Sequence, residues 1–132
     1  MVLDCQYLKI STREGEKTWN VRTGSGMGLI CSGEISDLSC YYLAELPFVL
    51  LPAVRRQYGI SLYVRFKDDI LIAMGGDVES RAEFLRAFRR HSRYFQLKVD
   101  SVSSHEAVML DTKLFKGPRW NASGKLDWDL YV

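Results

Sequence analysis

Apolar and polar residues change period several times along this chain, and each change marks a predicted element. Residues 7–12 and 18–23 are β-prone runs on either side of the polar Arg13-Glu14-Gly15-Glu16-Lys17, which predicts an antiparallel hairpin with a five-residue turn. Gly24-Ser25-Gly26-Met27-Gly28 is too glycine-rich for a regular element and predicts a loop suited to close backbone approach. From Gly33 the period becomes helical, with Ile35, Leu38, Tyr42 and Leu46 falling on one face. Pro47 is expected to end or kink that helix, because it has no N–H to donate and its ring clashes with the preceding turn. Residues 48–58 predict a second helical piece, stopped by Gly59.

Ile60, Leu62, Val64 and Phe66 alternate with Ser61, Tyr63, Arg65 and Lys67, the period of a half-buried strand. The run 70–74 is a second, more deeply buried strand, and only Asp68 and Asp69 lie between the two. After Gly75-Gly76, the spacing Ser80-Arg81-Ala82-Glu83 predicts a capping box opening a helix over 80–95. Phe84, Leu85, Phe88 and Phe95 give that helix an apolar stripe, with Arg81, Arg86, Arg89, Arg90 and Arg93 largely away from it. Leu97 and Val99 suggest a short strand, 101–105 a loop, 107–115 a strand, Gly117-Pro118 a turn, and Leu126, Trp128, Leu130 and Val132 a final alternating strand. Hairpin, helix, hairpin, helix and a strand-rich tail make an α+β domain with helices packed on one face of an antiparallel sheet.

Composition narrows the class without naming a function. A chain of 132 residues, 47% hydrophobic and 26% charged, is expected to form one globular domain, and a net charge of +2 does not by itself imply a polyanion partner. Cys5, Cys31 and Cys40 are odd in number and lack Cys-x-x-Cys spacing, so free thiols and an intracellular address, nuclear or cytoplasmic, are expected. The acidic Asp4 and the absence of a long apolar run near the start predict no secretory signal. The longest apolar stretch, 46–54, falls far short of the roughly 20 residues needed to span a bilayer, so no membrane segment is expected.

The chemistry lies in the pair Asp68-Asp69. Two like charges on neighbouring residues repel, and a turn between apolar strands adds a desolvation cost. A hard divalent cation would offset both, since carboxylate oxygens are its preferred ligands. Two-metal phosphoryl transfer holds its ions about 3.5–4 Å apart on such carboxylates. Asp-Asp is also an ordinary turn dipeptide, and it is the flanking apolar strands that favour the metal reading here.

With those strands in place, Phe66-Lys67-Asp68-Asp69 resembles the aromatic-x-Asp-Asp signature of reverse transcriptases, with Phe66 where tyrosine is the commoner residue. Upstream, Gly28-Leu29-Ile30-Cys31-Ser32 is similar to the family's Gly-x-x-x-Ser element, with Gly33 where proline is usual. Downstream, Val108-Met109-Leu110-Asp111 resembles the start of the strand pair that grips the primer in Penelope-like and related retroelement enzymes. The resemblance covers about 24–132 and implies a polymerase palm-like fold, here a partial domain. It divides into an N-terminal hairpin (1–23), glycine loop and palm helix (24–46), catalytic hairpin (60–74), amphipathic basic helix (80–95) and primer-grip-like strands (107–132).

What the resemblance implies for the site follows residue by residue. Asp68 and Asp69 would be catalytic metal ligands for Mg²⁺ or Mn²⁺, in a two-ion site complete only in the whole enzyme. Gly28, Ser32 and Phe66 would lie against nucleotide and template, and Leu110 and Asp111 against the primer. Lys98 stands where the family assigns a proton donor, while a surface strand lysine is the simpler reading. The family also carries a third metal-binding aspartate on an earlier strand. Asp4 has the local setting, but only 23 residues separate it from Gly28, fewer than is usual. Arg86, Arg89, Arg90 and Arg93 suit phosphate contacts, while a solvated helix face balanced by Glu79 and Glu83 is the simpler reading. The expected partners are an RNA or DNA template, a primer and deoxynucleoside triphosphates. Fingers and thumb have no counterpart, so the chain alone is not expected to polymerise. A palm-derived nucleic-acid-binding or interaction module without catalysis is the alternative.

Overall fold

The computed structural model describes residues 7–22 and 30–132, so Asp4, Gly28 and the glycine loop lie outside the described residues. The chain divides into two compact units, Met1–Tyr41 and Tyr42–Val132. The described residues form an α+β fold with several antiparallel sheets and four α-helices.

In the first unit β1 (Tyr7–Thr12) pairs antiparallel with β2 (Gly15–Asn20), Thr12 opposite Gly15. The turn is therefore Arg13-Glu14, two residues rather than the expected five. Gly15 takes φ +123°, which needs a residue without Cβ. The Thr12 hydroxyl closes the turn by accepting from the Glu14 N–H at 3.3 Å and donating to the Gly15 carbonyl at 2.9 Å. Helix α1 (Ser32–Cys40) follows.

A π-helical segment, Tyr41–Val49, begins at the last residue of the first unit, leads into the second and runs through Pro47 instead of ending there. Wide winding gives the Leu50 N–H the Glu45 carbonyl as acceptor, at 3.0 Å. It also rotates the buried face. Ala44, Glu45, Phe48 and Val49 point inward, whereas Tyr42 and Leu46 of the same segment, expected on the inner face, are exposed, as is Leu38 of α1. Helix α2 (Pro52–Gln57) starts on Pro52 and is followed by Gly59 at φ +61°, the expected glycine stop.

Strands β3 (Ile60–Phe66) and β4 (Asp69–Met74) form the second hairpin. Its register slips between Ile60 and Leu62, so Ser61 is an extra residue and the strand changes face at that point. Ile60 is buried, but thereafter Tyr63 and Arg65 turn inward while Leu62, Val64 and Phe66 lie on the exposed side. The expected alternation is thus inverted beyond Ser61.

Helix α3 (Val78–His91) is capped by Asp77, whose carboxylate accepts from the Ser80 N–H at 2.8 Å. The cap falls three residues before the expected Ser80, and the helix ends at His91, before Phe95. Phe84 and Phe88 from α3 stack against Phe48 at 5.9 Å each, Tyr58 meets Phe84 edge-on at 5.4 Å, and Tyr63 of β3 meets Phe88 at 6.3 Å. This aromatic cluster is the core that joins helices to one face of the hairpin. Truncating the fully buried Phe84 to alanine is expected to cost about 3–5 kcal/mol.

Residues 96–102 contain no strand, contrary to the expectation at Leu97 and Val99. The run 107–115 is two strands, β5 (Glu106–Met109) and β6 (Thr112–Phe115), folded at Leu110-Asp111, with β7 (Asp127–Leu130) completing a three-stranded sheet in the order β5-β6-β7. Gly117-Pro118 opens a short helix, α4 (Pro118–Ser123), rather than a simple turn. A Cβ at Gly117 would run into the Asp127 carboxylate that pairs with Arg119.

The candidate catalytic turn

Asp68 and Asp69 stand at the tip of the β3–β4 hairpin, and both are exposed. Phe66 pairs with Asp69, leaving Lys67-Asp68 as a two-residue turn. Lys67 adopts φ +55°, a left-handed conformation uncommon for a residue with a Cβ. Positive φ at the first central residue is the pattern of type II′ hairpin turns, whose twist matches that of the flanking strands. Cross-strand pairing places Asp69 and Phe66 on the same side, that of exposed Val64 and half-buried Leu71. Tyr63 and Arg65 lie on the other side, against the helices.

That inner side carries a feature the alternating pattern concealed. Glu45, 4% exposed, accepts from the Tyr63 hydroxyl at 2.8 Å and from Arg65 through both carboxylate oxygens, Nε to Oε1 at 2.8 Å and Nη2 to Oε2 at 3.3 Å. The remaining arm of the guanidinium, Nη1, donates to the Lys67 carbonyl at 3.0 Å. A charge is thus buried with its counter-charge, and the pair reaches the turn that bears the two aspartates. A signal for Glu45 existed in the sequence: it is the one charged residue in the apolar run 41–54. Arg65 gave no such signal, because alternation assigned it to solvent.

The other expected site residues fall elsewhere. Ser32 is the first residue of α1, in the first unit. Leu110 and Asp111 form the β5–β6 turn, with Leu110 left-handed at φ +54°. Arg86, Arg89, Arg90 and Arg93 occupy the second half of α3 and its end, all exposed. Arg89 donates to the Leu97 carbonyl at 3.1 Å, and Arg93 lies over the Tyr94 ring at 4.9 Å. Lys98 is on an irregular segment, its Nζ 2.9 Å from Asp100, whose carboxylate raises the lysine pKa by hydrogen bonding and by charge.

The donor set at the turn is all oxygen, which suits Mg²⁺ or Mn²⁺ rather than a thiophilic metal. It is also small. Among the described residues no three histidine, cysteine, aspartate or glutamate side chains gather where they could hold a metal ion. No helix among them is long and apolar enough to cross a membrane. The chain matches no protein-family model, no curated protein and no solved structure.

Proposed function

We propose that the chain is a palm portion of a reverse transcriptase, in which Asp68 and Asp69 supply part of a divalent-metal site for nucleotidyl transfer to a primer 3′ end. The observation that carries this reading is the adjacent carboxylate pair, exposed at the tip of an antiparallel hairpin, Asp68 in its two-residue turn and Asp69 opening β4, with the opposite face of the hairpin packed on helices. A rigid turn suits the task, because phosphoryl transfer relies chiefly on positioning and on charge stabilisation. When bound, the ions would activate the attacking hydroxyl and stabilise the leaving oxygen. This chain's contribution is to hold two of the oxygen ligands in place, with Phe66 beside them on the open face. Further ligands would have to come from a third carboxylate and from the substrate.

The test is Mn²⁺ titration followed by paramagnetic broadening of backbone amides. Broadening centred on residues 66–70, and abolished in the Asp68→Ala/Asp69→Ala chain, is the expected result. Broadening that survives loss of both carboxylates rules out the site. Primer extension on an RNA template with Mg²⁺ or Mn²⁺ tests the activity itself, and extension by the double variant would do the same.

One observation favours a second reading, a nucleic-acid-binding module without catalysis. Between Phe84 and Val99 lie five of the eighteen lysines and arginines and none of the sixteen acidic residues, so the rest of the chain carries a net charge of −3. Such a segment attracts a phosphate backbone irrespective of metal. RNA binding that is lost in Arg90→Ala/Arg93→Ala but indifferent to Asp68, Asp69 and Mg²⁺ would support this reading over the first.

A further inference from the structure

We propose that Glu45 and Arg65 are positioning residues for the Asp68-Asp69 turn: the buried ion pair fixes the Lys67 carbonyl and thereby sets the geometry in which the two carboxylates face a divalent cation. This rests on the metal reading of that turn. Three observations converge on it. The pair is buried, with side-chain exposures of 13% for Arg65 and 5% for Glu45. Desolvation consumes much of what such a pair gains by attraction, so apolar residues of similar volume would serve stability at least as well. Its geometry is also specific. A guanidinium has enough donors in one plane to grip both oxygens of Glu45 and still reach the Lys67 carbonyl, which no lysine could do at once. Finally, the turn does not need this grip in order to form. The β5–β6 turn takes the same left-handed first residue, Leu110 at φ +54°, and among the described residues no side chain bonds to the Leu110 carbonyl.

The carbonyl that Arg65 holds belongs to the peptide leading directly into Asp68. Rotation of that peptide would swing the Asp68 side chain, so fixing it restricts where the carboxylate can go. Helix packing is coupled to the turn through one residue, since Glu45 sits on the π-helical segment and Tyr63 braces it from β3. Outer partners that orient metal ligands commonly govern affinity without touching the ion.

The experiment uses the full chain and Mn²⁺ alone as probe. Arg65→Lys keeps the positive charge opposite Glu45 and removes the fork. It is expected to weaken Mn²⁺ binding at the turn about tenfold, and to change the Lys67 HN–Hα coupling and speed amide exchange at residues 67–69. Glu45→Gln, which retains an oxygen acceptor for Tyr63 and Arg65, should move the same readouts in the same direction by less, and it stands in if Arg65→Lys does not fold. Mn²⁺ affinity and Lys67 coupling that match the unaltered chain in a folded variant overturn the positioning role alone. Absence of any Mn²⁺ response in the unaltered chain overturns the metal reading on which it rests.

Discussion

The β3–β4 and β5–β6 hairpins solve the same backbone problem in the same way and differ in what surrounds the solution. Each has a two-residue turn with a non-glycine residue at positive φ followed by aspartate, Lys67-Asp68 in one and Leu110-Asp111 in the other. The first adds a second aspartate at the next position and is tied by Arg65 to a buried glutamate. The second is flanked by an exposed Lys113–Glu106 pair at 2.7 Å and by a backbone bond from the Tyr131 N–H to the Asp111 carbonyl at 2.8 Å. Turn chemistry alone therefore does not distinguish the two tips, and the side chains behind them do.

The contrast is broken most severely at the acidic partners. Glu45→Ala strands a buried arginine, and the expected loss is about 3–5 kcal/mol. Glu106→Ala removes a pair that is a third to a half exposed, where attraction is screened and the expected loss is below about 1 kcal/mol. Urea unfolding of the two variants measures both. Similar losses would mean that the two hairpins are held alike, and that burial of Glu45 carries no special weight.

How much of this was legible beforehand depended on whether a rule of period sufficed. The β3–β4 hairpin, its acidic tip and the α3 helix were visible because strand period, helix period and turn residues agreed at those places. Ser61 defeated the alternation, since one inserted residue exchanges the two faces of a strand and leaves no compositional trace. The π-helical winding through Pro47 defeated the helical period in the same way, by shifting the inner face to Ala44, Glu45, Phe48 and Val49. The β5–β6 turn was hidden because Leu110 takes a conformation that normally calls for glycine or asparagine. Of the candidate site, the carboxylates were legible as local motif and the Glu45–Arg65 support was not, being a contact between residues 20 apart. The third aspartate expected from the family resemblance finds no counterpart among the described residues.

Relieving the left-handed residues sharpens the comparison at a smaller scale. A residue with Cβ pays about 1–2 kcal/mol in this region, of which glycine's greater unfolded-state freedom returns about 0.5–1. Leu110→Gly and Lys67→Gly should each change stability by less than about 1 kcal/mol, in the stabilising direction. The turns should differ in exchange rather than in stability: amides at residues 110–111 are expected to become more labile, and those at 67–69 to remain protected while Arg65 holds the carbonyl. Equal lability in both turns would show that Arg65 restrains nothing. Asp69→Ala, which removes one of two neighbouring like charges at an exposed tip, should lie within about 0.5 kcal/mol of the unaltered chain.

The smallest effect belongs to the segment that joins the two hairpins after α3. There Lys98 and Asp100 form a fully solvated pair, with side-chain exposures of 87% and 79%, the reverse of Glu45 and Arg65. Hydrogen bonding to Asp100, and then its charge, raise the Lys98 pKa above the ordinary value of 10.5. A group whose pKa is raised on folding contributes its stabilisation while it is charged in both states, below the unfolded value, and loses it as pH climbs through the folded one. Between pH 6 and 9 the contribution is therefore constant, and any shift of the unfolding midpoint in Lys98→Gln should be small and the same at every pH in that range. The side-chain resonances of Lys98 should titrate above 10.5, and Asp100→Asn should bring them down. A lysine found to titrate near neutrality would instead suit the proton-donor role that the family resemblance assigns to this position, because general acids work best with pKa values near the working pH.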